Sequence, residues 1–363
     1  MSVILPYTRG QSVAKYSEPS TILDSDKYDK SKLSFKKIFT VVYAIFLWYF
    51  FSLCSTILNK TLVSKDIFPI TLTFTHVSIS TICDLVIING IKHKEYKATT
   101  HLTTSQLIQS ILPLSLAMVL TQLFTYISYS LVPVSLTHTV KALQPLFNVI
   151  IVYLWTGNKV SIKVVLSLIP IISGVAYSSV NELQFNMRGF IFALLSTLTS
   201  VWQSIYVKML MRYGIDKDYL HLLNGLLSVI LLCPCVIIYE YYNKTYESIN
   251  IKGMILCSLL QYFASIGSYK SLSLISSLTY SILNTFKRVA IIIISALYFG
   301  KYLSSQNIFG IVIAVLGVLG YNLVCLSEDK SLRTPRSPQF TPHDSIDYRK
   351  YLKSSNSVPK III

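Results

Sequence analysis

Stretches of about twenty mostly apolar residues recur along this chain from residue 38 to residue 326. A helix needs about that many, at about 1.5 Å each, to cross the hydrocarbon core of a bilayer. The windows fall near 38–60, 67–90, 106–130, 134–156 and 161–180, then near 189–211, 218–240, 252–272, 277–299 and 304–325. Polar clusters such as Asn181-Glu182, Asp216-Lys217-Asp218 and Gly300-Lys301 divide them. The expected fold is an all-α membrane protein, a ten-helix domain over 38–326. The tails at 1–37 and 327–363 are expected to be disordered.

Composition agrees, with 52% hydrophobic and 13% charged residues, where a soluble domain carries about 25% charged. The formal charge of +16 does not indicate nucleic acid, because Lys and Arg sit in tails and short loops rather than on one folded face. Cys54, Cys83, Cys233, Cys235, Cys257 and Cys325 lie in or beside apolar windows, with no CxxC pair and no His at ligand spacing. Neither a disulfide framework nor a metal site is expected, and no cofactor. Paired acids, a nucleophile with a base and a metal cluster are all missing from the spans, so no enzyme is expected.

Ten spans put both tails on one side. Of the 32 Lys and Arg residues, 23 then fall in the tails and the loops on their side, and six in the opposite loops. The positive-inside rule places both tails in the cytosol. The first 37 residues lack the apolar core and cleavage site of a signal peptide and the Arg/Ser-rich character of a transit peptide. The first helix is expected to target the chain, with the Golgi or endoplasmic reticulum as its membrane and a plastid-type organelle membrane as the alternative. The NKT triplets at Asn59 and Asn243 would be glycosylation acceptors on the non-cytosolic face.

The chain also repeats itself. SLT opens the fourth span at Ser135 and the ninth at Ser277, and Gly157 and Gly300 close them; SGVAY (Ser173–Tyr177) in the fifth answers LGVLGY (Leu316–Tyr321) in the tenth; Lys60 and Lys208 end the first and sixth. Two five-helix halves, about 38–180 and 189–326, would be inverted relative to one another, because five is odd. A solute site is then expected near the midplane.

Ionisable residues inside a span cost about 2.5–3.5 kcal/mol each to insert and mark functional positions. Lys141 lies about seven residues into the fourth span, and Lys287 and Arg288 about ten into the ninth. Asp84, in the second span, neutralises at most one of them. A net positive cavity suits an anionic, phosphorylated solute, with Arg offering a bidentate fork and Lys a point charge. Another reading pairs Lys141 with Asp84 and ties Lys287 and Arg288 to helix-end carbonyls. Consecutive helical residues point about 100° apart, so one of Lys287 and Arg288 is expected to bind solute while the other organises the site. Thr137, His138 and Gln144 in the fourth span, with Tyr280, Ser281 and Asn284 in the ninth, line the cavity or bond between helices. His76 is a candidate proton relay or a packed neutral side chain. Pro145 and Pro170 each remove a backbone donor, either to loosen helices that rock between two states or as prolines simply tolerated in membrane helices.

The segments HTVKA (His138–Ala142), SLIPIISGVAY (Ser167–Tyr177), NELQFNMRGFIFALLST (Asn181–Thr197) and NTFKR (Asn284–Arg288) together resemble the triose-phosphate translocator family. It lies within the drug/metabolite transporter superfamily, and the resemblance is closest to solute carrier family 35 subfamily E. It runs over about 38–326. It implies that Lys141, Lys287 and Arg288 hold the phosphate of the solute. It also implies solute contacts from a His and a Thr on the third span, where this chain has Gln122 and Thr125, and from a Tyr on the eighth, where it has Ala264 with Tyr262 and Tyr269 nearby. Exchange against inorganic phosphate is implied as well.

The expected function is that of a secondary antiporter working by alternating access. Its partners would be a phosphorylated organic anion such as a sugar phosphate, inorganic phosphate and the lipid bilayer. A nucleotide-sugar transporter and a non-transporting membrane receptor or scaffold are the alternatives.

Overall fold

The computed structural model describes residues 35–63, 68–90, 104–156, 160–212, 215, 217–243, 250–274, 277–300 and 304–333. Both tails outside these bounds, Gly157, and the side chains of Lys208, Asn243, Tyr269 and Ser281 lie outside the described residues. The described residues are helical throughout apart from short connections: α1 (Phe35–Val63), α2 (Pro69–Gly90), α3 (Thr104–Leu131), α4 (Val134–Val140), α5 (Gln144–Thr156), α6 (Ile162–Val180), α7 (Met187–Arg212), α8 (Lys217–Asn243), α9 (Ile251–Leu274), α10 (Ser277–Tyr298) and α11 (Ser305–Arg333).

Eight of these helices are long and apolar enough to cross a membrane: α1, α2, α3, α6, α7, α8, α9 and α11. Two of the expected spans differ from simple apolar rods. The window at 134–156 is not one helix but α4 and α5 joined by a 3-10 turn over Lys141–Leu143. The cause is Pro145, which has no N–H to donate to the carbonyl four residues back, that of Lys141, and whose ring crowds it. The N–H of Gln144 reaches that carbonyl instead in the tighter 3-10 manner. The other, α10, carries Lys287 and Arg288 at its middle. At the far end α11 runs on to Arg333, past the expected boundary, and Glu328 there pairs with Lys163 at 3.6 Å.

Burial follows the logic of a lipid solvent. Large apolar side chains such as Phe46, Val86, Ile169, Leu297 and Leu316 are exposed, whereas Ser55, Thr73, Ser115, Thr137, Ser196, Thr197 and Ser228 are buried. Small and hydroxylated residues let helices approach closely where no hydrophobic force pulls them together. Many hydroxyls bond the carbonyl one turn back, as in Thr73 to Pro69 at 2.7 Å and Thr121 to Ala117 at 2.7 Å.

The main packing pairs are α6 on α11, α1 on α9, α3 on α7 and α2 on α8, with α4 against α10. Backbones touch where α6 crosses α11: a Cβ on Gly174 would meet the Gly310 carbonyl oxygen at 2.7 Å, and one on Gly317 would meet the Ile171 nitrogen at 2.8 Å. One glycine of each recurring motif therefore lies at the crossing, Gly174 against Gly310 and Ala314 of α11 and Gly317 against Pro170 and Ile171 of α6. Around Pro170, in contrast, α6 runs unbroken.

Candidate solute-binding site

The break in the fourth span shapes the site. The carbonyl of Lys141, with a lone pair that Pro145 leaves unused, points toward α10, where the Nη1 of Arg288 donates to it. The Nη2 of the same guanidinium donates to Oε1 of Gln144, and Gln144 Nε2 is held by Ser200 Oγ on α7 at 3.4 Å. Arg288 is thus fastened by two oxygens across the α4–α5 junction. The ammonium of Lys141 turns toward α3 and donates to Thr125 Oγ1 at 3.1 Å, while the Thr125 hydroxyl donates to the Thr121 carbonyl at 2.7 Å.

Lys287 takes another direction, as the helical rotation between neighbours requires. Its Nζ stands over the indole of Trp48 on α1, 4.6 Å from the ring centroid. Tyr280 stacks against Trp48, 4.8 Å between centroids and 4° from parallel, and its hydroxyl meets Ser268 Oγ at 2.5 Å. The Tyr49 hydroxyl, next along α1, donates to the Leu283 carbonyl on α10. Lys141, Lys287 and Arg288 are all half-buried.

Asn284 lies half-buried one turn before Arg288 on α10. Gln122 lies three residues before Thr125, on the same face of α3, with its Oε1 buried and without a hydrogen-bond partner. The structure therefore brings Lys141, Arg288, Thr125 and Gln144 into one bonded cluster and sets Lys287 and Tyr280 beside it on Trp48.

Asp84 does not pair with Lys141. It accepts from Tyr262 on α9 at 3.0 Å and pairs with His221 Nδ1 on α8 at 2.5 Å. Among the described residues, the three cations have no carboxylate in ion-pair range. Of the structural reading one part holds, since Arg288 does bond a helix-end carbonyl, whereas Lys287 lies over Trp48. Thr137 and His138 face neighbouring helices, Thr137 bonding Ser128 at 2.8 Å and His138 Nε2 bonding the Tyr129 hydroxyl at 3.0 Å.

His76 is buried and meets Asn59 Oδ1 at 2.8 Å, and Asn59 donates to Ser55 Oγ at 3.2 Å. Ser55 in turn donates to Gln261 Oε1 at 2.8 Å. Asn59, 3% exposed, is held inside this α1–α2–α9 network.

A cavity of about 370 Å³ opens where α1 ends and α4 begins, lined by Lys60, Ser135, Gln184, Ser295 and Phe299 among others. Lys60 Nζ donates to the carbonyls of Tyr129 and Val132. Lys141, Lys287 and Arg288 are not among the lining residues.

Sequence reasoning missed Trp48 and His221. Trp48 reads as one more apolar residue in a window of aromatics, and His221 lies 137 residues from its partner.

The sequence profile of the Triose-phosphate Transporter family matches residues 39–322. The chain is 32% identical over 289 residues to the chloroplastic phosphoenolpyruvate/phosphate translocator 1 of Oryza sativa subsp. japonica, covering 76% of this chain and 69% of that protein. It is 31% identical over 290 residues to the chloroplastic triose phosphate/phosphate translocator of non-green plastids of Brassica oleracea var. botrytis, covering 77% and 71%. A solved crystal structure of 14% sequence identity superposes with a TM-score of 0.50, over 82% of this chain and 99% of that chain, a likeness of fold alone.

Proposed function

The chain belongs to the Triose-phosphate Transporter family, a multi-pass membrane transport protein and not an enzyme, and from that premise we propose that it is a secondary antiporter. It exchanges a phosphorylated organic anion for inorganic phosphate across an organelle membrane by alternating access. The solute is phosphoenolpyruvate, a triose phosphate or a related sugar phosphate, the first two being the solutes in the names of the relatives. Those names also favour a plastid-type organelle over the Golgi or endoplasmic reticulum.

The observation that carries this reading is the electrostatics of the bundle interior. Three half-buried cations gather about the α4–α5 junction and α10 with no carboxylate opposite them among the described residues, and Asp84 is committed to His221. A phosphate dianion supplies the missing charge, taking charge-assisted hydrogen bonds from Lys141, Lys287 and Arg288. Gln122 and Thr125 from α3, and Asn284 and Tyr280 from α10, face its organic part. The buried, unpartnered Gln122 Oε1 fits a solute donor there. Ala264 and the engagement of Tyr262 by Asp84 fit an organic subsite that differs from that of the triose-phosphate carriers.

A ten-span inverted repeat is part of the same reading. Exchanging the two halves maps α1 on α9 onto α7 on α3, and returns α2 on α8, α4 on α10 and α6 on α11 to themselves. The observed packing pairs have that symmetry, which supports a solute site at the interface of the repeats.

The test is exchange of labelled phosphate by purified protein in phosphate-loaded liposomes, with phosphoenolpyruvate, triose phosphates, hexose phosphates and nucleotide sugars as competitors. Lys141→Ala and Lys287→Ala are expected to lose exchange by about 10- to 100-fold, the effect of removing one bond to a charged group at about 1.5–3 kcal/mol. Competition by nucleotide sugars alone would assign the carrier to that class, and no exchange by folded wild-type protein would leave a receptor or scaffold.

A further inference from the structure

Of the three cations, Lys287 alone rests on a neutral ring. Arg288 has a carbonyl and an amide oxygen, and Lys141 a hydroxyl, all of which stay useful when an anion arrives, because each fixes the direction of its cation. The indole beneath Lys287 does something else. It lies 4.6 Å from the ammonium, is itself 2% exposed, and is stacked against Tyr280. Tyr280 is in turn anchored by Ser268, and α1 is tied to α10 by Tyr49.

The geometry points to Trp48 as the resting partner of Lys287 in the empty carrier, a positioning residue that competes with the solute for the ammonium. This assignment rests on the phosphate-exchange reading. A lysine stem has four rotatable carbons and a compact charge, so Lys287 can swing from ring to phosphate without moving its helix. A cation over an aromatic face is attracted by the ring quadrupole, most strongly for Trp, but a dianionic phosphate is the stronger partner. The solute therefore removes Lys287 from Trp48, and the lost ring contact is subtracted from its affinity. In exchange for that subtraction the empty carrier has a defined place for a charge that neither Lys141 nor Arg288 tolerates close by.

The consequence is the opposite of what a packing role predicts. Trp48→Leu binds phosphate about fivefold tighter than the wild type, and Trp48→Phe, which keeps the bulk and part of the quadrupole, about twofold tighter. In the Lys287→Ala background neither substitution has that effect.

The experiment is equilibrium binding of labelled inorganic phosphate to full-length protein in detergent or nanodiscs. Trp155→Phe and Trp202→Phe are introduced so that Trp48 is the sole tryptophan of the three in the chain. Progressively fluorinated tryptophan at position 48 keeps its shape while draining the ring quadrupole, so affinity should rise step by step with fluorine number. Addition of phosphate should change the emission of Trp48 in the unfluorinated protein, and Lys287→Ala should abolish the change. Phosphate that binds with affinity flat across the fluorinated series, or weaker in Trp48→Leu, overturns the assignment and leaves the exchange reading intact. No binding of phosphate, phosphoenolpyruvate or triose phosphate by the wild type overturns both.

Discussion

Pro145 and Lys141 stand four residues apart on the fourth span, and the one decides what the carbonyl of the other can bond. Because Pro145 has no N–H, the Lys141 carbonyl receives the Gln144 N–H in a 3-10 turn and keeps a lone pair for Arg288 of α10. A guanidinium from one half of the chain thereby becomes part of the backbone hydrogen bonding of the other. In a medium without water, a backbone oxygen that leaves its helical ladder must find such a partner.

The first prediction is a coupling between Arg288 and Pro145. Arg288→Ala is expected to lower the unfolding free energy in detergent by about 1.5–3 kcal/mol, the cost of losing bonds to a charged donor. Pro145→Ala restores an N–H at the helical position and competes for the same lone pair. In that background, Arg288→Ala should cost about 1 kcal/mol less, a double-mutant coupling within the usual range for residues that share a partner. Strictly additive effects would mean that the Arg288 bond and the helix break are unrelated.

Lys60 does a comparable service for α3. That helix ends at Leu131; the Val132 N–H still serves the Ser128 carbonyl, but Pro133, four residues after Tyr129, has no N–H for the next one. Lys60 of α1 bonds the Tyr129 and Val132 carbonyls instead, with its charge at the negative end of the helix dipole. Lys60→Met keeps the apolar stem and removes the donors. It is expected to lower the unfolding free energy by about 1–3 kcal/mol, read as a fall in the apparent Tm in detergent. An unchanged Tm would show that these carbonyls are satisfied without Lys60.

The spans were legible because lipid imposes a length and a hydropathy on every crossing helix, whatever its neighbours do. The same rule made Lys141, Lys287 and Arg288 conspicuous, and the rotation between adjacent helical residues already required Lys287 and Arg288 to diverge. What they diverge toward was not legible. The partner of Lys287 is an indole and that of Arg288 a main-chain oxygen, and neither leaves a trace in a pattern of charges. Asp84 and Lys141, conspicuous for the same reason, invited a pairing that the bundle does not make, because contact depends on which helices pack and α2 packs on α8 and α9. Pro145 marked the place of the helix break, but prolines alone do not say which helix breaks, as the unbroken α6 around Pro170 shows.

A third prediction separates the cluster at Asp84 from Lys141, Lys287 and Arg288. Asp84, Tyr262 and His221 join α2, α9 and α8, with side chains 15% and 26% exposed for Asp84 and His221. Asp84→Ala removes both bonds and is expected to cost about 1–3 kcal/mol, below the full price of a completely buried pair. Phosphate affinity measured on the surviving folded protein should stay within about twofold. A large gain in affinity would instead reveal Asp84 as a counter-charge to Lys141.

The fourth prediction concerns the crossing of α6 and α11. A Cβ added at Gly310 would lie 2.8 Å from both the Gly174 oxygen and the Ser178 Cα. Those are backbone atoms, so no rotamer change relieves the overlap, and the two helices must part by several tenths of an ångström. Gly310→Ala is therefore expected to destabilise by about 1–3 kcal/mol, the usual cost of overpacking, although alanine is the better helix former. Gly320, two turns and more along the same helix, meets nothing within 4 Å of an added Cβ. There the propensity term is unopposed, and Gly320→Ala should stabilise by up to about 1 kcal/mol. Unfolding of the two variants side by side isolates the contact, because the chemical change and the helix are the same. Equal effects would mean that α6 and α11 are not held by backbone approach at Gly174 and Gly310. Opposite signs would mean that Gly174 and Gly310 are there to let the helices touch.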